Sequence, residues 1–117
     1  MTGTADWRTY CLAKPGAWRD EPWEHDAVAK VGDKIFAFLG SDDPVSSIGL
    51  KCGDREAADL WLERYPDHAR KMAYIGAHGW NTFVLDGTID DDQARELIDT
   101  SYDLVVAKLP KSKRPAG

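Results

Sequence analysis

Three histidines, two cysteines, four serines outside the terminus and one dense group of acids are the residues of this chain most able to do chemistry. Their spacing limits what that chemistry is. His25, His68 and His78 are scattered, without the i, i+4 pairing that sets two metal ligands on one helical face. They are expected to be surface histidines and not a zinc or iron centre. Asp20, Glu21, Glu24, His25 and Asp26 offer the oxygens a hard cation prefers, but a solvated loop is the better account of them. Ser41, Ser46, Ser47 and Ser101 lie in no G-x-S-x-G elbow that would expose a nucleophile. Cys11 and Cys52 are expected as two reduced thiols in a reducing compartment, not as a disulfide. Gly76 and Gly79 lack the strand-to-helix context of a phosphate-cradling loop. The residues therefore predict a protein that is not an enzyme, with no metal and no cofactor.

The basic residues carry the other possible chemistry, which is contact with phosphate. Lys30 and Lys34 fall on a predicted hairpin, Lys51 on a strand, Arg70 and Lys71 before a glycine-containing loop, and Lys108, Lys111, Lys113 and Arg114 at the chain end. Each alone is a surface charge, and their use would be collective. A hairpin with Lys34 near its tip and a basic helix terminus could together track a nucleic-acid backbone. Against this, the chain has 15 Lys and Arg for 20 Asp and Glu, a net charge of −5, and residues 105–117 alone hold +4. The body is thus strongly acidic, a poor platform for a polyanion unless the signs are segregated in space. His78, Trp80 and Asn81 are a candidate stacking platform or small-ligand pocket, should Trp80 be exposed.

These residues need elements to hold them. A length of 117 residues, 43% of them hydrophobic and 30% charged, describes one globular domain. The domain is expected over 1–110, followed by a basic, disordered tail over 111–117. No apolar run reaches the ~20 residues of a membrane helix, and the polar start lacks a secretory apolar region; a cytoplasmic monomer is expected. Residues 4–13 read as a helix capped by Thr4 or Asp6, with Trp7, Tyr10 and Cys11 on one face, and 17–23 as an edge strand because Pro22 cannot donate. Ala27–Val31 and Lys34–Leu39 form a hairpin across Gly32-Asp33, 41–44 a turn, and Ser46–Lys51 a fourth strand. Asp54 caps a helix whose inner stripe is Ala57, Leu60, Trp61 and Tyr65. Met72–Ile75 reads as a short strand and Trp80–Leu85 as a longer one. The last helix, capped by Asp90 with Gln93 reaching back, has the stripe Ala94, Leu97, Ile98, Ser101, Val105 and Leu109. One core is expected to bury Trp7, Phe36, Phe38, Trp61, Leu97, Ile98 and Val105. Consecutive strands without intervening helices mean an antiparallel sheet. The fold class is α+β, in the order α-β-β-β-β-α-β(-β)-α.

Six blocks in order resemble the MmcQ/YjbR family. They are Cys11-Leu12-Ala13-Lys14-Pro15-Gly16-Ala17, Val31-Gly32-Asp33-Lys34-Ile35-Phe36-Ala37, Leu50-Lys51-Cys52, Glu63-Arg64-Tyr65-Pro66, Trp80-Asn81-Thr82 and Ser101-Tyr102-Asp103-Leu104-Val105. The resemblance covers roughly residues 7–111. It implies a compact fold related to the CyaY/frataxin-like architecture, with helices packed on an antiparallel sheet. It also implies weak, largely sequence-nonspecific DNA binding of a double-wing type. At Ala77-His78-Gly79 this chain lacks the basic residue that members often carry before the Trp. Iron handling is not implied, since the first helix offers only Asp6 as an acid. The alternative function class is a non-enzymatic module for a small ligand or a protein partner.

Overall fold

The structure is a computed structural model describing residues 6–23, 26–41 and 45–115. Its elements are α1 (Trp7–Leu12), β1 (Ala17–Trp23), β2 (Asp26–Val31), β3 (Lys34–Gly40), β4 (Ser47–Lys51), α2 (Arg55–Arg64), β5 (Ala69–Lys71), β6 (Trp80–Val84) and α3 (Asp91–Val106), with 3-10 turns at Gly76–His78 and Lys111–Lys113. The strands make one six-stranded sheet in the order β1-β2-β3-β4-β6-β5, and every described pairing is antiparallel. The class is α+β, as the run of strands required. The expected turn at 41–44 falls on residues 42–44, outside the described ones.

Helix α3 forms where its periodicity and cap place it. The Asp90 carboxylate accepts from the amide of Gln93 at 2.8 Å, satisfying one open donor of the first turn. The reciprocal half of a capping box is not made: the Gln93 side chain donates to Glu96 at 2.6 Å instead. Ala94, Leu97, Ile98, Ser101, Val105 and Leu109 are all buried. They meet Phe36, Ala37 and Leu50 in the core shared by the sheet and helices.

Helix α2 packs differently from its predicted stripe. Ala58, not Ala57, is fully buried, and Leu60 is 64% exposed. The helix is rotated toward a polar anchor. Asn81, fully buried, donates to the Ala58 carbonyl at 2.8 Å and accepts from Arg55 at 2.8 Å. A small residue at 58 lets the helix come close enough for that bond. Trp61 and Tyr65 are half-buried and stack with ring centroids 6.3 Å apart.

A bulge in β3 decides which face its aromatics take. Ala29 faces Ala37 and Lys30 faces Ile35, so Phe36 is the extra residue. A bulge places two successive side chains on nearly the same side, and both Phe36 and Ala37 are completely buried. Phe38 is then left on the opposite face, against Trp80 with ring centroids 5.5 Å apart. Its expected place in the central core is corrected accordingly. The bulge also ends the β3–β4 ladder, which has only the register pairs Ala37–Leu50 and Phe38–Gly49. Where the next rung would lie, the Ser101 hydroxyl donates to the Phe36 carbonyl at 2.6 Å and accepts from the Lys51 amide at 2.9 Å.

One further expectation is corrected. Met72–Ile75 is not a strand. The strand is Ala69–Lys71, and Tyr74 has φ +65, incompatible with a pleated ladder. Beyond α3, Lys111–Lys113 form a 3-10 turn. The Arg114 guanidinium donates to the carbonyls of Leu109 and Ala107, both at 3.0 Å, so it satisfies acceptors left open where α3 stops.

Candidate functional site

The helices cover one face of the sheet. On the other, cross-strand register places Phe38, Gly49, Thr82 and Arg70 in one row across β3, β4, β6 and β5. Lys51 pairs with Trp80 and Lys30 with Ile35. Two adjoining recesses follow from this arrangement. One, of about 530 Å³, has Phe38, Gly49, Met72, Tyr74, Ile75 and Thr82 in its wall, with Arg70 and Lys71. The other, of about 660 Å³, opens where β3 and β4 part, and Ile35, Phe38, Trp80 and Val105 meet Lys30, Lys34, Lys51 and Lys108 there. At Gly49 a Cβ would lie 2.8 Å from the Met72 sulfur, so the glycine leaves room for the thioether over the strand.

The electrostatics of the groove are cationic. Lys51 is the most constrained: its ammonium donates to the His78 carbonyl at 2.8 Å and sits 6.0 Å from the centre of the Trp80 ring. Burial lowers its pKa from the ordinary lysine value, and the nearby positive charge of Lys108 lowers it further. Lys30 is held by Asp20 at 2.9 Å and lies 5.1 Å over the Trp18 ring. Lys34, Arg70, Lys71 and Lys108 are exposed. Asp26 and Asp33 are the acids in the walls. A denser set of acids lies elsewhere. Asp90, Asp92, Glu96, Asp99 and Asp103 gather along the outer side of α3 near Tyr10. This acidic cluster is separate from the two recesses.

The structure brings together Lys30, Lys34, Lys51, Lys108 and Trp80, with Arg70 and Lys71 on the adjoining wall. It does not bring Lys111, Lys113 or Arg114 into either recess. Asn81 is a buried structural bridge and not a pocket residue. His78 is exposed and contributes its backbone carbonyl to Lys51.

The remaining candidates resolve simply. His68 pairs with Asp86 at 3.0 Å, and His25 and Glu24 lie outside the described residues. Among the described residues no group of three His, Cys, Asp or Glu is arranged to hold a metal ion. Cys11 and Cys52 are free and buried. Burial, the largest cause in each case, pushes both thiols up to about 12, so neither supplies a thiolate near neutrality. No helix among the described residues is long and apolar enough to cross a membrane.

Sequence reasoning missed Phe38, Met72, Tyr74 and Ile75 as site residues. Phe38 was readable only with the Phe36 bulge in hand. The other three sit in a non-periodic segment, where the one local signal was the glycines that follow.

Known proteins share this fold. A family model for YjbR matches residues 12–104. The Escherichia coli K12 protein named "Uncharacterized protein YjbR" is 34% identical over 107 residues, covering 90% of this chain and 88% of that one. The same identity and coverage hold for the O157:H7 protein of that name. A crystal structure of Deinococcus radiodurans DR2400, a DUF419 domain, superposes with a TM-score of 0.81 at 28% identity, over 93% of this chain and 83% of that one. A Pseudomonas syringae protein gives 0.68 at 21% identity, over 88% and 98% of the two chains, a likeness of fold.

Proposed function

The chain belongs to the YjbR family, and on that premise we propose that the open face of its sheet is a weak, largely sequence-nonspecific DNA-binding surface. The observation that carries the reading is the meeting of Lys34, Lys51 and Lys108 with Trp80 in one recess. These cations come from a hairpin tip, a central strand and a helix end, distant in sequence. Phosphate contacts of this kind position a protein without reading bases. Part of the net charge of −5 comes from acids of α3 that line neither recess. The same charge limits affinity, which is expected within the nonspecific range of ~10⁻⁴–10⁻⁶ M.

A salt titration of binding to labelled DNA tests this. Log affinity should fall linearly with log salt, with a slope of about −0.9 per duplex phosphate neutralised. The double variant Lys34→Glu/Lys108→Glu should weaken binding and flatten the slope. Lys111→Ala/Lys113→Ala, outside the recess, should change little. Absence of binding at the lowest salt, where screening is least, would overturn the reading. The recess would then be better read as a site for a small ligand, as its apolar wall of Ile35, Phe38 and Trp80 favours.

A further inference from the structure

We propose that the nucleic acid this face takes is single-stranded, with unpaired bases stacking on Tyr74 and on the apolar floor around Phe38. This rests on the nucleic-acid reading above and goes beyond it by naming the form of the strand.

The first observation is the chemistry of the floor. Between the cations the surface is Phe38, the Met72 thioether over Gly49, and Ile75. A duplex presents ridges of sugar and phosphate, and would set charged oxygens against this apolar strip. A single strand can turn its phosphates to the flanking cations and its base faces inward, which satisfies both parts of the surface. The floor runs from β3 to β5, three strand spacings or about 14 Å, which fits one chain laid across it.

The second observation is Tyr74. Its residue is 100% exposed, although a tyrosine normally buries most of its ring. It also has φ +65, and the Ile75 amide donates back to the Ala73 carbonyl at 2.7 Å. Tyr74 is therefore the centre of a tight three-residue turn in the left-handed region, which is strained for any residue with a Cβ. Glycine would relieve that strain, yet the position carries a large aromatic held away from the core at the rim of the groove. A stacking ring has that placement. Arg70 and Lys71, four and three residues earlier, line the same recess and bring positive charge to it.

The test compares binding of a short oligodeoxythymidine and of a duplex of equal length by fluorescence anisotropy, using the full chain. The single strand is expected to bind more tightly. Tyr74→Gly should weaken its binding by about fivefold or more, the loss of one stacked base, without changing the salt slope, since no phosphate contact is lost. Tyr74→Phe should restore affinity. The melting temperature of Tyr74→Gly should not fall, because glycine accepts the turn. Duplex binding as tight as single-strand binding, or unchanged single-strand affinity in Tyr74→Gly, overturns the proposal. If Lys34→Glu/Lys108→Glu still weakens duplex binding in that case, the phosphate-binding reading survives alone; if neither oligonucleotide binds at low salt, both readings fall.

Discussion

Lys51 and Trp80 are direct cross-strand partners on β4 and β6, and the Lys51 ammonium lies 6.0 Å from the centre of the indole ring. Such a pair joins a charge to an apolar surface, and burial and Lys108 make that charge less favourable than in water. A phosphate placed in the groove would reverse the balance, because an anion favours the protonated amine.

A pH dependence of binding follows. The complex favours charged Lys51, so affinity is full while the free protein's Lys51 is protonated and is lost as pH rises through its lowered pKa. The decline should begin below the ordinary lysine value of 10.5. Lys51→Arg, which stays charged throughout, should bind with a flatter pH profile. Identical profiles for parent and Lys51→Arg, measured by anisotropy, would place Lys51 outside the contact.

Ser101 should matter more than a buried serine normally does. Ser101→Ala removes the bridge between the Phe36 carbonyl and the Lys51 amide and leaves both without this partner. The expected loss is about 1–3 kcal/mol, read from the urea midpoint. A change within a few tenths would mean that the strands close directly on each other.

Gly79→Ala should be strongly destabilising. A Cβ there would stand 1.8 Å from the Gly53 carbonyl oxygen, at φ +89. Relief requires moving backbone, including the Cys52 amide bonded to the Gly79 carbonyl at 2.7 Å. We expect a melting temperature many degrees lower, or no soluble protein; a melting curve overlying the parent's would refute the close approach.

The cysteines should resist alkylation in the folded protein. With their pKa at about 12, iodoacetamide at neutral pH should label them slowly until urea is added. The sign for stability is the same for both. A thiol raised by burial costs nothing below its ordinary value, and the folded state loses stability as pH climbs from there toward about 12. Rapid labelling at neutral pH without unfolding would show that the burial is breached.

Much of this was legible in the residues. The last helix, the β2–β3 hairpin and the antiparallel class all followed from spacing and turn chemistry, and the family resemblance pointed to the same architecture. Asn81 was legible only as a neighbour of Trp80, because one strand cannot tell which of its faces a helix will cover. Phe38 was misplaced for a related reason: strict alternation puts it on the side of Phe36, and the bulge separates them. The stripe of α2 failed because a polar anchor, Arg55–Asn81, outweighed the apolar spacing. Tyr74 had no signal beyond the glycines that follow it, since an exposed strained aromatic violates the preferences that sequence reading relies on.

The serine stitch also sets an order of events. Ser101 lies 65 residues from Phe36 and 50 from Lys51, and without it β3 and β4 share only two register pairs. During synthesis the first three strands can form as a local meander, but the halves of the sheet cannot be fully closed until the last helix emerges. Contacts so distant along the chain are slow to form, and until they do, β3 and β4 present incompletely paired edges on which another chain can add. A chain halted before residue 101 should therefore aggregate and not simply be less stable, which makes the final helix a guard on assembly as much as a piece of the core.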